Sequence, residues 1–317
     1  MNKSLTPAPL NPAQKAVLEE LGAPPAERPE FDPDEIDDLR QGLVNQLTPL
    51  ASSLDDKGLF LNKRTLNNVF SCEVRFTHEY GNRDFEWSIP MARGSVSHKA
   101  IELSLGWRGE PAPLDLVEEA IGRLTQQDHS LGGFLQTLGE ADLAELRAES
   151  NDRVAKFLEM WPPLERRWSP VVETPIYHNL LDGRITLQAR PDLTIGRARG
   201  VRAGKVIVDL KSGRPWPEHA GDLRFYALVD TLRIGVPPRL VTSYYLDAAR
   251  FSSETVTVGT LAAAFTRVVD GARRIVELTV DSEPAAHRAG PRCRFCPLAD
   301  SCEPGQGWLS EADDWTG

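Results

Sequence analysis

Apolar positions change period several times along this chain, and each change marks an element. Lys63–Phe70 has helical spacing and leads through a strand to a second helix ending near 104, where Ser95 or Ser97 is placed to cap the segment holding His98. Residues 113–167 are helical with two breaks. Val117–Leu124 is one amphipathic piece; a second starts near Asp142, sets Leu143, Leu146, Val154, Phe157, Leu158 and Trp161 on one face, and stops at Pro162-Pro163. Period two then takes over in Pro170–Tyr177, Arg184–Ile195 and Lys205–Leu210, separated by Asp182-Gly183 and a glycine-rich turn over 196–204. Helix returns over 219–235, followed by a strand at Leu240–Leu246 and a helix at Leu261–Leu278. No repeat of 20–50 residues is present. The order predicts an α/β core with a helical insertion at about 113–167.

The chain has 317 residues, of which 41% are hydrophobic and 26% charged, the composition of a globular protein and not of a disordered one. No apolar run reaches the 18 or so residues of a membrane span and no signal peptide opens the chain, so a cytoplasmic protein with no membrane partner is expected. A net charge of −10 excludes coating of nucleic acid by bulk positive charge. That charge is unevenly distributed. Residues 1–60 hold 5 Lys/Arg against 11 Asp/Glu, residues 303–317 hold four acids and no base, and 61–302 balance at 31 of each. Seven of the 24 prolines fall in the first 40 residues. Residues 1–58 therefore read as an acidic, proline-rich arm, extended or weakly ordered, and 306–317 as an acidic tail. Residues 59–305 are left as the domain that carries the chemistry.

The densest chemistry lies in Ala189-Arg190-Pro191-Asp192 and Val206-Ile207-Val208-Asp209-Leu210-Lys211. Strand alternation puts Asp209 and Lys211 on one face, with Leu210 pointing away, and Asp192 reaches that face from the neighbouring strand. Two carboxylates suit a hard divalent cation, and an ammonium beside it orients water and stabilises charge on a phosphoryl group. Asp-x-Lys alone is common by chance. The apolar runs before it, the Pro-Asp pair upstream and the scarcity of lysine (8 of 36 bases) give it weight.

With these residues the chain resembles the PD-(D/E)XK nuclease superfamily, Asp192 and Asp209-Leu210-Lys211 standing where its paired acids and lysine stand. RecB-like members carry Gln-x-x-x-Tyr on the following helix; Gly221-Asp222-Leu223-Arg224-Phe225-Tyr226 keeps the tyrosine with Asp222 in place of glutamine. At i and i+4, Asp222 and Tyr226 share a helix face. Upstream, His98-Lys99-Ala100-Ile101-Glu102 looks like the helix that presents a histidine to the metal, with Glu102 as an orienting group behind it. The resemblance implies a restriction-endonuclease-like mixed sheet flanked by helices. It further implies Mg²⁺ or Mn²⁺ on His98, Asp192, Asp209 and the Leu210 carbonyl, with Lys211 activating or positioning water, assisted by Tyr226. The implied activity is exonucleolytic cleavage of DNA, single-stranded ends above all, beside a helicase or defence-system partner. The rival is a non-catalytic DNA-binding scaffold on the same fold.

Cys293-x2-Cys296-x5-Cys302 with Cys72 far upstream suggests metal, not disulfides. Four thiolates satisfy structural zinc or an iron–sulfur cluster, and spacing alone does not separate them. One cysteine ahead of the core and three behind it resemble the [4Fe–4S] staple of AddB-type and CRISPR-associated RecB-like exonucleases. This implies a C-terminal cysteine cluster stapled to the N-terminal part, with the 113–167 insertion where relatives build an arch. Arg166 and Arg167 beside Trp168, with Arg190, Arg197, Arg199, Arg202 and Lys205, are placed to track phosphates. Gly200–Lys205 is one residue short of a P-loop and lacks its Ser/Thr. His78, His129, His178, His219 and His287 form no ligand-spaced set, though His219 lies near the site helix, and Glu173 reads as the opening of a core strand, at a position that is often acidic in the family the chain resembles.

Overall fold

The computed structural model describes residues 9–80, 86–107 and 109–314, without the side chains of Asp313 and Asp314. In chain order the elements are α1 (Pro12–Leu21), α2 (Pro33–Ala51), β1 (Leu59–Asn62), α3 (Lys63–Ser71), α4 (Glu73–Glu79) and α5 (Ile89–Ser104). The insertion follows as α6 (Pro113–Gln127), α7 (His129–Thr137) and α8 (Glu140–Met160). Then come β2 (Val171–Val172), β3 (Ile176–Leu180), β4 (Ile185–Ala189), β5 (Leu193–Ile195), β6 (Val206–Lys211) and α9 (Glu218–Ile234). The chain closes with β7 (Leu240–Tyr245), β8 (Arg250–Thr255), α10 (Val258–Thr279) and α11 (Glu303–Asp314).

The mixed sheet flanked by helices that the sequence predicts is present, but it is divided in two. One sheet has the order β1-β4-β3, the other β2-β5-β6-β7-β8, with β1–β4 and β6–β7 parallel and the remaining pairs antiparallel. Pro170–Tyr177 and Arg184–Ile195, expected as single strands, each break in the middle. Together they form a two-stranded ribbon that bends, so that β3–β4 lies in the first sheet and β2–β5 in the second. The bend has two local causes. Pro191 has no N–H for a ladder, and Glu173 sits at φ 46°, the left-handed region that few non-glycine residues enter. The Glu173 N–H donates to the Asp192 carbonyl at 3.1 Å and locks the two corners together.

β6 runs between two apolar cores. Val206, Val208 and Leu210 enter one, with Tyr244 of β7 and Leu116, Val117, Leu146, Val154 and Phe157 of the insertion. Ile207 faces the other, beneath α9 and α10, and alternation sends Asp209 and Lys211 to that same side. The helical insertion is thus a packed layer over the second sheet. α8 ends as expected at Pro162-Pro163, where Trp161 stacks on Phe157 and meets Tyr244 edge-on, centroids 5.1 and 5.4 Å away.

Three expectations differ from the structure. Residues 1–58 are not an extended arm over their described part: Asp32 caps α2, Pro33 opens it, and its Ile36, Leu43 and Leu47 are buried in the core with α10. Proline and acid at 32–35 are a helix start, not a disorder signal. Ser95 and Ser97 are not caps but lie inside α5, which starts after Ser88; the Ser97 hydroxyl donates to the Arg93 carbonyl at 2.8 Å. Where a strand was expected between Lys63–Phe70 and the second helix, the described residues form helix α4 instead, while the acidic tail keeps its place within α11 as far as Asp314. Among the described residues no helix is long and apolar enough to cross a membrane.

Candidate active site

The site forms where five elements meet: the C-terminal end of β6, the ribbon corners at Glu173 and Asp192, the middle of α5, the first residue of α3 and the inner face of α9. At one side, His98 Nδ1 lies 3.2 Å from Asp192 Oδ1 and 3.9 Å from Glu173 Oε1. The second Asp192 oxygen accepts from the Leu210 N–H at 2.5 Å. A strand residue sends N–H and C=O from the same edge, so the Leu210 carbonyl also faces the Asp192 side. At the other side Asp209, with no exposed surface, lies between Lys63 at 3.1 Å and Lys211 at 2.5 Å.

Lys211 is held in turn by Asp222 at 3.3 Å. Asp222 accepts from Asn67 at 2.7 Å, and Asn67 accepts from Arg267 at 2.7 Å. The aspartate that replaces glutamine therefore orients the lysine, and Tyr226, one turn on, is buried with the Lys63 ammonium 5.1 Å from its ring centre. Glu102 does not reach this network: both its oxygens are taken by Lys99 at 3.0 Å, and among the described residues it makes no hydrogen bond to His98. On the flank, His219 Nδ1 lies 3.0 Å from the Tyr245 hydroxyl.

Burial opposes charge on every group here, and the neighbours outweigh it at some groups and not at others. Burial would lower His98, yet Asp192 and Glu173 outweigh it and raise its pKa to about 10. Burial raises Asp192, with Asp209 adding to it and His98 opposing. Asp209 goes the other way despite its burial: Lys63 and Lys211 hold it well below the usual carboxylate range. The same acids keep Lys63 charged against its own burial. Tyr226 is pushed far above a free phenol by burial, and His219 down to about 4 by burial and then Lys211.

These observations test whether a divalent cation fits. Among the described residues, His98, Glu173 and Asp192 form the one group of three His, Cys, Asp or Glu side chains with ligand atoms within 4.8 Å of one another. Beside them, Asp209 Oδ2 is buried and accepts no hydrogen bond, an oxygen held only by the Lys211 ion pair. One nitrogen, buried carboxylate oxygens and a backbone carbonyl make a donor set that suits Mg²⁺ or Mn²⁺.

Sequence reasoning brought together His98, Asp192, Asp209, Lys211, Asp222 and Tyr226, but it missed two members. Glu173 joins only because the ribbon bends, and its one local signal is an acid two residues ahead of Pro175. Lys63 follows an asparagine cap at the end of a four-residue strand. Of the basic residues expected along phosphates, Arg190 is paired with Glu173, Arg202 with Glu30, Lys205 with Asp230 and Arg167 with Glu165.

The four cysteines line a separate cavity. Cys72, at the α3–α4 junction, faces Cys293, Cys296 and Cys302, with His287 Nδ1 3.5 Å from the Cys302 sulfur. Nothing local in the sequence marks His287 as a neighbour of these cysteines. Gly305 lies close against two of them: a Cβ would stand 3.3 Å from the Cys302 sulfur, which would have to give slightly, and 3.7 Å from that of Cys293.

A family model described as PD-(D/E)XK nuclease superfamily matches residues 62–303. A solved structure titled "Putative exonuclease", from Eubacterium rectale, is 13% identical, covers 74% of this chain and 87% of its own, and has a TM-score of 0.47. A second, titled only SSO0001, is also 13% identical, covers 83% of this chain and 95% of its own, and has a TM-score of 0.35. No curated protein matches the sequence.

Proposed function

From the premise that this chain belongs to the PD-(D/E)XK nuclease superfamily, we propose that it is a deoxyribonuclease that hydrolyses phosphodiester bonds from single-stranded ends. The carrying observation is the convergence of His98, Glu173 and Asp192 beside a buried Asp209 gripped by Lys211. His98, Asp192, Asp209 and the Leu210 carbonyl would hold Mg²⁺ or Mn²⁺, with Glu173 added to the set. A divalent cation there supplies Lewis-acid polarisation of the phosphate and an acidified water.

The chain's own groups do the rest. Lys211 brings positive charge and N–H donors to the Asp209 edge, where they position the attacking water and stabilise charge on a non-bridging phosphoryl oxygen. Asp222, fixed by Asn67 and Arg267, keeps that ammonium aimed. Arg190, against Glu173, sets the orientation of the glutamate. Tyr226, buried and far from ionising, acts as a neutral packing and hydrogen-bonding group and not as a base.

The cysteine cavity is proposed to hold a structural [4Fe–4S] cluster. Four cysteine sulfurs line one cavity, the ligand count that such a cluster takes, and structural zinc on the same thiolates is the alternative. Its place between α4 and the segment after α10 suits a staple that closes a loop of more than 200 residues.

The test uses anaerobically purified protein and end-labelled DNA, single- and double-stranded, with Mn²⁺ or with EDTA. Cleavage of single strands from an end, with Mn²⁺ only, is expected, and Asp209→Asn or Lys211→Met should lower it at least a hundredfold. Binding without cutting would leave the non-catalytic scaffold. Iron and sulfide near four each per chain are expected from the same preparation; one zinc per chain would replace the cluster assignment.

A further inference from the structure

At the end of the β5–β6 hairpin remote from Asp192 and Asp209 lies a cavity of about 560 Å³. Its walls are the hairpin turn, Arg167–Ser169 and helix α1. From Val206, in the cavity wall, to Lys211 the strand advances about 16 Å at 3.3 Å per residue, so the two sites are separate. Arg28, Arg167, Arg197, Arg199 and Arg239 line the cavity, and no Asp or Glu does. Only Arg167 has a carboxylate partner, Glu165; among the described residues the other four form no ion pair.

Arg239 lies deepest, 9% exposed, with Nη2 donating to the Leu21 carbonyl and Nε buried without a hydrogen-bond partner. Burial, and then Arg28, lower its hold on its proton. Four unpaired guanidinium groups around one cavity repel each other until an anion enters.

The cavity is built from fixed parts. A Cβ on Gly204 would lie 2.1 Å from the Arg197 carbonyl oxygen and 3.1 Å from Arg28 Nη1, so only glycine lets these arginines approach. Gly196, at φ +83°, packs against the Gly204 carbonyl in the same way. Arg197 Nε donates to Ser169 Oγ and Arg28 Nε to the Ala23 carbonyl, both at 3.1 Å, which orients the two forks. The remaining wall is apolar, made by Leu18, Leu21, Ile195 and the ring of Trp168.

We propose that this cavity binds a nucleotide phosphate, with the guanidinium forks on the phosphate oxygens and the base against Trp168. Arginine forks match phosphate geometry bidentately, an aromatic face accepts any base, and the volume lies in the range of small-molecule sites. The same chemistry is offered by a free nucleoside phosphate and by the phosphorylated end of a strand. The site stands apart from the acid cluster, so its failure would leave the nuclease reading untouched.

The test is calorimetric titration of the full-length protein with divalent cations withheld, so that nothing is cut. The probes are dTMP, inorganic phosphate, and a ten-residue oligo(dT) with and without a terminal phosphate. Binding of dTMP at least tenfold tighter than inorganic phosphate is expected. A tenfold preference for the phosphorylated strand over its unphosphorylated form would identify a strand-end anchor; equal strands with dTMP bound would identify a free-nucleotide site.

The double variant R197Q/R199Q should weaken dTMP at least tenfold, and Trp168→Ala should weaken dTMP while leaving inorganic phosphate unchanged. R199E gives the same reading if the double variant melts lower, since the Arg199 side chain makes no hydrogen bond among the described residues. Absence of dTMP binding at millimolar concentration, equal affinity for inorganic phosphate, or wild-type affinity in the variants would overturn the proposal.

Discussion

Asp209 is a fully buried carboxylate between two ammonium groups, and any cation that approaches it must compete with both. Lys63 is the more dispensable of the two, since Lys211 also has Asp222. Removing one unit of positive charge at about 3 Å should favour a divalent ion strongly even through a well-screened medium. Lys63→Met is therefore expected to tighten Mn²⁺ binding about tenfold, read from free Mn²⁺ by electron paramagnetic resonance; weaker binding would mean that Lys63 organises Asp209 instead of blocking it. This lysine also shows what was legible. Asp192, Asp209 and Lys211 could be found because strand alternation is local and two residues suffice to reveal it. Lys63 and Glu173 could not, because Lys63 meets Asp209 from 146 residues away in sequence and Glu173 meets His98 across a bend that only tertiary packing produces. Asp222 was legible as a departure from a motif, but its hold on Lys211 needed Asn67 and Arg267, which no motif marks.

At the scale of elements, the long patterned pieces were readable and the short or edge ones were not. α8, α9, α10, β6 and β7 have apolar faces long enough to set a period. β1 has four residues, and β8, an edge strand with two serines and mostly exposed side chains, alternates too weakly to register. The α2 segment reads as an arm because its charge and prolines mask a buried stripe of Ile36, Leu43 and Leu47. Leu43→Ala in that stripe should cost about 2–5 kcal/mol and lower Tm by several degrees, whereas a solvated arm would show a change within about 0.5 kcal/mol. A second junction holds the insertion to the sheet: buried Arg153 of α8 donates to both oxygens of Asp247, after β7, at 2.6 and 3.1 Å. Those hydrogen bonds, the main cause, hold the Asp247 pKa below its ordinary value. A depressed carboxyl adds stability above the unfolded pKa of about 3.9 and loses it as pH falls through the folded value. With Asp247 partly exposed, Asp247→Asn should cost about 1–2 kcal/mol at pH 7 in denaturant titrations. The difference from wild type should shrink as pH is lowered below about 4; a constant difference would mean that shape, not charge, matters at this contact.

For the whole molecule, the net charge of −10 and the neutral span 61–302 pose a question of encounter with a polyanion. The acidic N-terminal residues are not a detached tail that swings clear of substrate. α2 is fixed in the core and α1 lies over the insertion, so their exposed carboxylates, including Glu19, Glu20 and Asp38, are permanent features of the surface field. Their repulsion of DNA acts through solvent, over about 10 Å at 0.1 M salt and about 3 Å at 1 M. Local attraction by the arginines near the hairpin acts at contact and survives better as salt rises. The triple variant E19Q/E20Q/D38N lowers the net charge to −7, touches no capping residue and breaks no ion pair among the described residues. It is expected to raise kcat/KM for single-stranded DNA severalfold at about 20 mM salt, to leave kcat unchanged, and to converge with wild type by about 0.5 M. A gain that persists at high salt would point to a direct contact between one of these residues and the strand. No gain at low salt would mean that DNA approaches from a side the N-terminal helices do not face.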